Sequence, residues 1–140
     1  MARPTNKTQA CSAREARSRR GHARRFLEVA EIASSERNED PEYASVAASL
    51  AVLAGIAASD AACCKALGER SRSANHRDAE GLLRQVRPGG ANAAKALRGL
   101  IDLKDSAHYG FFDVSGPELR KALRQARSLI DFADRVLSGG

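Results

Sequence analysis

The run "PEYASVAASLAVLAGIAASDAACCKALG", Pro41 to Gly68, constrains the fold more than any other part of the chain. Between Tyr43 and Lys65 it carries a single charged residue, Asp60. Asp40 before Pro41 is a start signal, because an aspartate can cap free amide groups and proline is pre-set for the first helical turn. Gly68 offers a C-terminal cap. The implied helix of about 27 residues is roughly 40 Å long and apolar on most sides, so other helices must surround it. Alanine and leucine dominate the remaining apolar content, with only six aromatic residues in 140. Such a composition suits closely packed helices better than sheets.

The other segments supply those neighbours. Residues 12–33 read as a helix whose second half docks through Phe26, Val29, Ala30 and Ala33. A short helix is expected over 76–86, ended by "RPGG", and another over 92–107, with Ala96, Leu97, Leu100, Ile101 and Leu103 as its core face. "HYGFFDV" then reads as a hydrophobic loop. Ser115 and Glu118 form a capping box for a last helix that extends to about Leu137. The expectation is an all-α, up-and-down bundle of about five helices, a single domain over residues 12–138, with a flexible segment at residues 1–11.

Charge is divided unevenly. Residues 1–25 hold eight Arg/Lys against one Glu, whereas the net charge of the whole chain is +6, so the remainder is close to neutral. The six arginines of "REARSRRGHARR", Arg14, Arg17, Arg19, Arg20, Arg24 and Arg25, together with Arg72, are candidate contacts for nucleic-acid phosphates. The run has no interleaved aromatics, which argues against a platform for stacking single-stranded bases.

Three cysteines, two of them adjacent at Cys63 and Cys64, do not make a disulfide framework and read as buried thiols in a reducing compartment. No second Cys/His cluster has metal-ligand spacing, so neither metal nor cofactor is expected. With no signal-peptide pattern and no uninterrupted apolar run of membrane-spanning length, a soluble cytoplasmic protein is expected.

One stretch invites chemistry. In "GERSRSANHRDAEGLL" Arg70 and His76 flank the turn between two helices. A neutral imidazole can take the proton of a ribose 2′-hydroxyl, and a guanidinium can hold the phosphate as charge builds on it. Asn75 as N-cap, with Asp78 and Glu80 in the following turn, also accounts for the stretch as an ordinary helix start. Spacing alone discriminates poorly, since Arg17 and His22 satisfy it too. Asp60 and Asn75 are expected as walls of the site, Asp60 either as such or in a structural ion pair.

The runs "AGIAASDAACCKALGERSRSANHRDAEGLL" and "LIDLKDSAHYGFFDVSG" resemble small HEPN-domain proteins of actinobacteria and their phages, over residues 42–135. The resemblance implies a helical bundle, frequent homodimers and, in catalytic members, a metal-independent endoribonuclease of toxin or defence type using an Arg, four to six residues and a His. Arg70 and His76, with five residues between them, match it; Arg72 does not. The resemblance also covers non-catalytic modules that bind nucleic acid or a protein partner, such as an antitoxin. For an enzyme, a single histidine leaves acid–base cleavage incomplete. The small residues of 54–62 permit close approach either by helices of the same chain, especially the fourth and fifth, or by the same helix of a second subunit; in the second case a homodimer is expected to bring in a second His76.

Overall fold

The computed structural model of the protein describes residues 7–35, 41–72, 76–110 and 114–139. Among these residues it is an all-α bundle of five helices with one small two-stranded sheet. In chain order these are β1 (Thr8–Ala10), α1 (Ala13–Ser35), α2 (Pro41–Leu67), β2 (Glu69–Ser71), α3 (Arg77–Leu83), α4 (Gly90–Gly110) and α5 (Gly116–Ser138).

α2 occupies the centre, as its composition requires. From Ala54 to Cys64 every residue but Ile56 is buried, and α1, α4 and α5 of the same chain do the burying. The stripe of small residues at 54–62 is therefore an internal surface and not the place where a second subunit crosses. Gly55 shows how tight the fit is: a Cβ there would run into Leu100 Cδ1 and lie 3.1 Å from Leu129 Cδ1. α2 is long and apolar enough to cross a membrane, but most of it is buried inside the fold, which is the position of a core helix.

Ion pairs fix the directions of the helices. Arg20 and Arg24 of α1 reach Asp134 of α5, at 3.8 and 3.0 Å, and Glu31 of α1 pairs with Arg127. Numbers rise along α1 as they fall along α5, so these two run antiparallel. α2 folds back on α1 through a short connection, which leaves α2 and α5 parallel. Their close approach depends on alanines on both, including Ala51, Ala58, Ala126 and Ala133. α3 lies against α4, where Arg98 Nε donates to the buried Glu80 at 2.6 Å and Arg77 donates to Asp102 at 2.5 Å.

Several ends are set by local chemistry. Gly68 takes a positive φ of 74° just beyond α2, the left-handed cap expected of it. Ser115 accepts from the Glu118 amide at 3.2 Å while Glu118 accepts from the Ser115 amide at 2.9 Å. The same reciprocal pair starts α1, between Ser12 and Glu15. Asp40, expected as the cap of α2, lies outside the described residues.

Four local expectations need correction. α1 docks along its whole length, with Ala16 and Ala23 buried as well as Leu27 and Ala30, while Val29, expected on the docking face, is exposed. α4 continues through Gly110, so the segment starting at His108 is helical at its outset and not a loop. α3 is shorter than the periodicity suggested, ending at Leu83. Within residues 1–11, Thr8–Ala10 form a strand, paired antiparallel with β2 in the register Thr8–Ser71, Gln9–Arg70 and Ala10–Glu69.

The cysteine reading is corrected as well. Cys11 and Cys64 are joined in a disulfide, their Cα atoms 5.4 Å apart, and only Cys63 remains a free, buried thiol. Their spacing carries no hint of the bond, because 53 positions separate the partners and the turn at Gly68 brings them together.

Candidate functional site

The site is built where the end of α2 turns into β2 and α3. Gly68 redirects the chain, β2 carries Arg70 across from Gln9, and His76 stands at the start of α3. The His76 carbonyl accepts from the amides of Ala79 and Glu80, at 3.0 and 3.4 Å, so this backbone is part of the first helical turn. Ser73, Ala74 and Asn75 lie outside the described residues, and with them the expected role of Asn75.

Asp60 is the hub. It is 7% exposed and accepts a hydrogen bond from Arg19 Nη2 at 3.1 Å. Burial pushes its carboxyl above the ordinary aspartate range, and the positive charges of Arg19, Arg70 and His76 pull in the other direction. Arg70 and His76 thus both act on the same acid through their charge, while its hydrogen-bond partner is Arg19. Asp60 forms the structural ion pair that is one of its two expected roles.

His76 is half-buried, and burial holds its imidazole below the ordinary histidine value, helped by the positive charge of Lys104. Asp60 and Asp105 oppose this without reversing it. The consequence is a neutral imidazole at pH 7, the form able to accept a proton. Arg70 makes two long hydrogen bonds, both at 3.4 Å, from Nη1 to the Ser71 carbonyl and from Nη2 to Gln9 Oε1. Ser71 Oγ, next in the strand, is a buried hydroxyl with no partner among the described residues.

Lys104 of α4 and Gln9 of β1 are the site residues that sequence reasoning missed. Nothing local marks either: each acts on its partner through the fold, Lys104 electrostatically on a residue 28 positions away and Gln9 across a strand pairing.

The basic run of α1 proves to be divided. Arg19 is committed to Asp60, Arg20 and Arg24 to Asp134, and Arg25 to Glu28 at 2.8 Å. Arg14, Arg17 and Arg72 are exposed and make no ion pair among the described residues. Four of the six arginines thus neutralise the chain's own acids, and the surface left for phosphates is smaller than the sequence suggests. Among the described residues no group of three His, Cys, Asp or Glu side chains could hold a metal ion.

A scan against protein-family models, a search of curated proteins and a search of solved structures each found no match.

Proposed function

We propose that the protein is a HEPN-like, metal-independent endoribonuclease in which Arg70 holds the scissile phosphate and His76 takes the proton from the ribose 2′-hydroxyl. What supports this reading is the placement of Arg70 in β2 and of His76 at the first turn of α3, two elements that pack against each other just beyond the helix carrying Asp60, together with an imidazole that burial and the charge of Lys104 hold below its ordinary value. Attack of the 2′-oxygen on phosphorus forms a cyclic phosphate and expels the 5′-oxygen of the next nucleotide, which must gain a proton. His76 supplies the base but not a second acid, and a second copy of the chain supplies one. Arg14, Arg17 and Arg72 hold the flanking phosphates.

Support for the second copy comes from a different face than expected. Among the described residues, the exposed large apolar ones, Val29, Ile32, Tyr43, Val46 and Leu53, all belong to α1 and α2. Val46, Leu53 and Asp60 follow one another at intervals of seven along α2, so they lie along one side of that helix. A copy seated on the apolar stretch reaches toward the Asp60 end. The setting is a soluble protein in the cytoplasm, with an antitoxin-like protein as a regulator of the same surface.

The test is RNA cleavage by purified protein in EDTA. Cleavage lost in His76→Ala and in Arg70→Ala is the expected result. Equal cleavage by His76→Ala, or none by the wild type, overturns the enzymatic reading. RNA binding that persists without cleavage in the wild type would instead support the alternative, a non-catalytic HEPN-like module that binds nucleic acid or a protein partner through α1.

A further inference from the structure

We propose that the Cys11–Cys64 disulfide is a reversible clasp that holds strand β1 against the strand carrying Arg70, and that a dithiol reductant opens it. Three observations converge on this. The bond joins the residue just after β1 to α2, one helical turn past Asp60. β1 is the only strand paired with β2 among the described residues, and Gln9 of β1 is the side-chain acceptor for Arg70. Nothing apolar holds β1 down: Gln9 and Ala10 are exposed and Thr8 is half-buried. The strand is held by polar contacts, among them a three-residue ladder extended by Cys11 N to the Gly68 carbonyl at 3.0 Å and Arg72 N to the Lys7 carbonyl at 2.8 Å, and a 3.8 Å ion pair between Lys7 and Asp78. Two strands of this length are at best marginal in water. The covalent bond decides whether they stay together.

The chemistry of opening is plain. Cys11 is half-exposed, whereas Cys64 is 3% exposed, so an incoming thiolate reaches Cys11 Sγ. The S–S bond breaks, Cys64 leaves as thiolate and takes a proton, and a mixed disulfide forms on Cys11. The second thiol of the reductant then displaces Cys11, which also gains a proton, and the reductant leaves as a cyclic disulfide. Two electrons and two protons have moved from the dithiol to the protein. Cys63 does not short-circuit the exchange, although it is next to Cys64: burial pushes its thiol up to about 12, so it is almost wholly protonated at neutral pH.

α1 is unaffected by release, because the Ser12–Glu15 box that starts it lies beyond Cys11. Arg70 is affected. With β1 gone, β2 loses its ladder and Arg70 its Gln9 acceptor, so the guanidinium is no longer fixed relative to Asp60 and His76. Disulfides in a reducing compartment are usually redox-sensing bonds rather than permanent staples.

Hydrogen exchange read by mass spectrometry decides the matter, on the oxidised protein, on protein treated with dithiothreitol, and on Cys11→Ser. The oxidised protein is expected to weigh two hydrogens less than the treated one. Amides of residues 8–11 and 69–72 are expected to exchange about ten-fold faster or more after reduction and in Cys11→Ser, while those of α2 and α5 keep their protection. Unchanged exchange in β1 and β2 would overturn the clasp. So would joint loss of protection in α2 and α5, which would make the bond a staple of the whole fold. The effect on RNA rests on the ribonuclease reading and is measured separately: cleavage is expected to fall several-fold on reduction and to return on reoxidation. Strand release with unchanged cleavage overturns control of Arg70, whereas no cleavage in either state overturns the ribonuclease reading and leaves the clasp to the exchange data.

Discussion

Arg19 Nη2 donates to Asp60 Oδ2 across 3.1 Å, so an arginine from a run that reads as a nucleic-acid arm is spent on the acid of the central helix. The pair ties α1 to α2 and makes the acid tolerable where it stands. It also means that deleting residues 1–25 is no test of an arm, since the deletion removes Arg19 together with the core residues Ala16 and Ala23.

The pH dependence of stability should carry the mark of Asp60. Its folded-state pKa lies above the ordinary 3.8, so the folded protein holds this proton more tightly than the unfolded chain does. The stabilisation is full below pH 3.8 and is lost as pH rises through the folded value. Asp60→Asn cannot titrate. Urea unfolding of both proteins from acid to neutral pH is expected to show the wild type losing stability relative to the variant as pH rises, and a constant difference would refute the assignment.

His76 should respond to Lys104. Removing that charge in Lys104→Met takes away one of the two causes that depress the imidazole, leaving burial against Asp60 and Asp105. An NMR titration is expected to place the His76 midpoint below 6.5 in the wild type and closer to 6.5 in the variant. The stability sign follows: in the wild type the unfolded state binds the proton first, so stability falls as pH drops from 6.5 toward the folded value. A midpoint unmoved by the substitution would mean that Lys104 does not face the ring.

Gly55→Ala should destabilise, although alanine is the better helix former by about 1 kcal/mol. The new methyl meets Leu100 and Leu129, which are themselves 0% and 1% exposed and have no room to retreat. A net loss of about 1–3 kcal/mol is expected from denaturant unfolding. A stabilised variant would show that α2 packs more loosely against α4 and α5 than described.

Exposed Val46 provides a clean test of self-association, because 53% of it faces outward and its replacement leaves the core intact. Sedimentation equilibrium at micromolar concentration is expected to give a dimer for the wild type and a monomer for Val46→Glu with an unchanged circular dichroism spectrum. A monomeric wild type would remove the composite site.

RNA affinity should be governed by Arg14, Arg17 and Arg72. Replacing all three by alanine is expected to weaken binding and to flatten the dependence of log affinity on log salt by about 0.7 for each phosphate that is no longer neutralised. The same experiment on Arg20 and Arg24, which are paired with Asp134, is expected to change the slope little.

What the sequence disclosed and what it hid divide along one physical line. The central helix, the glycine that ends it and the Ser115–Glu118 box were legible because each is decided within a few residues. So was the position of His76 at a helix start. The pairing of Gln9 with Arg70, the bond between Cys11 and Cys64, and the approach of Lys104 to His76 were not, since each joins segments whose meeting depends on how the bundle closes. The small residues of 54–62 mark a surface of close approach, but whether that surface meets its own chain or another is a question of topology. Asp60 was ambiguous for the same reason: its partner lies 41 positions away.

The bond between Cys11 and Cys64 also gives the molecule a lariat topology. α1 and most of α2 lie inside a covalent ring, and everything from Lys65 onward is a linear tail. Pulled by its two ends, the oxidised chain could extend only outside the ring. The 53-residue separation hides roughly 190 Å of contour length that a single-molecule stretching trace would recover only after reduction. A machine that threads proteins from the C-terminus would likewise meet a closed loop on reaching α2 and have to pass two strands at once, so the redox state of one cysteine pair sets how far such a machine can travel along this chain.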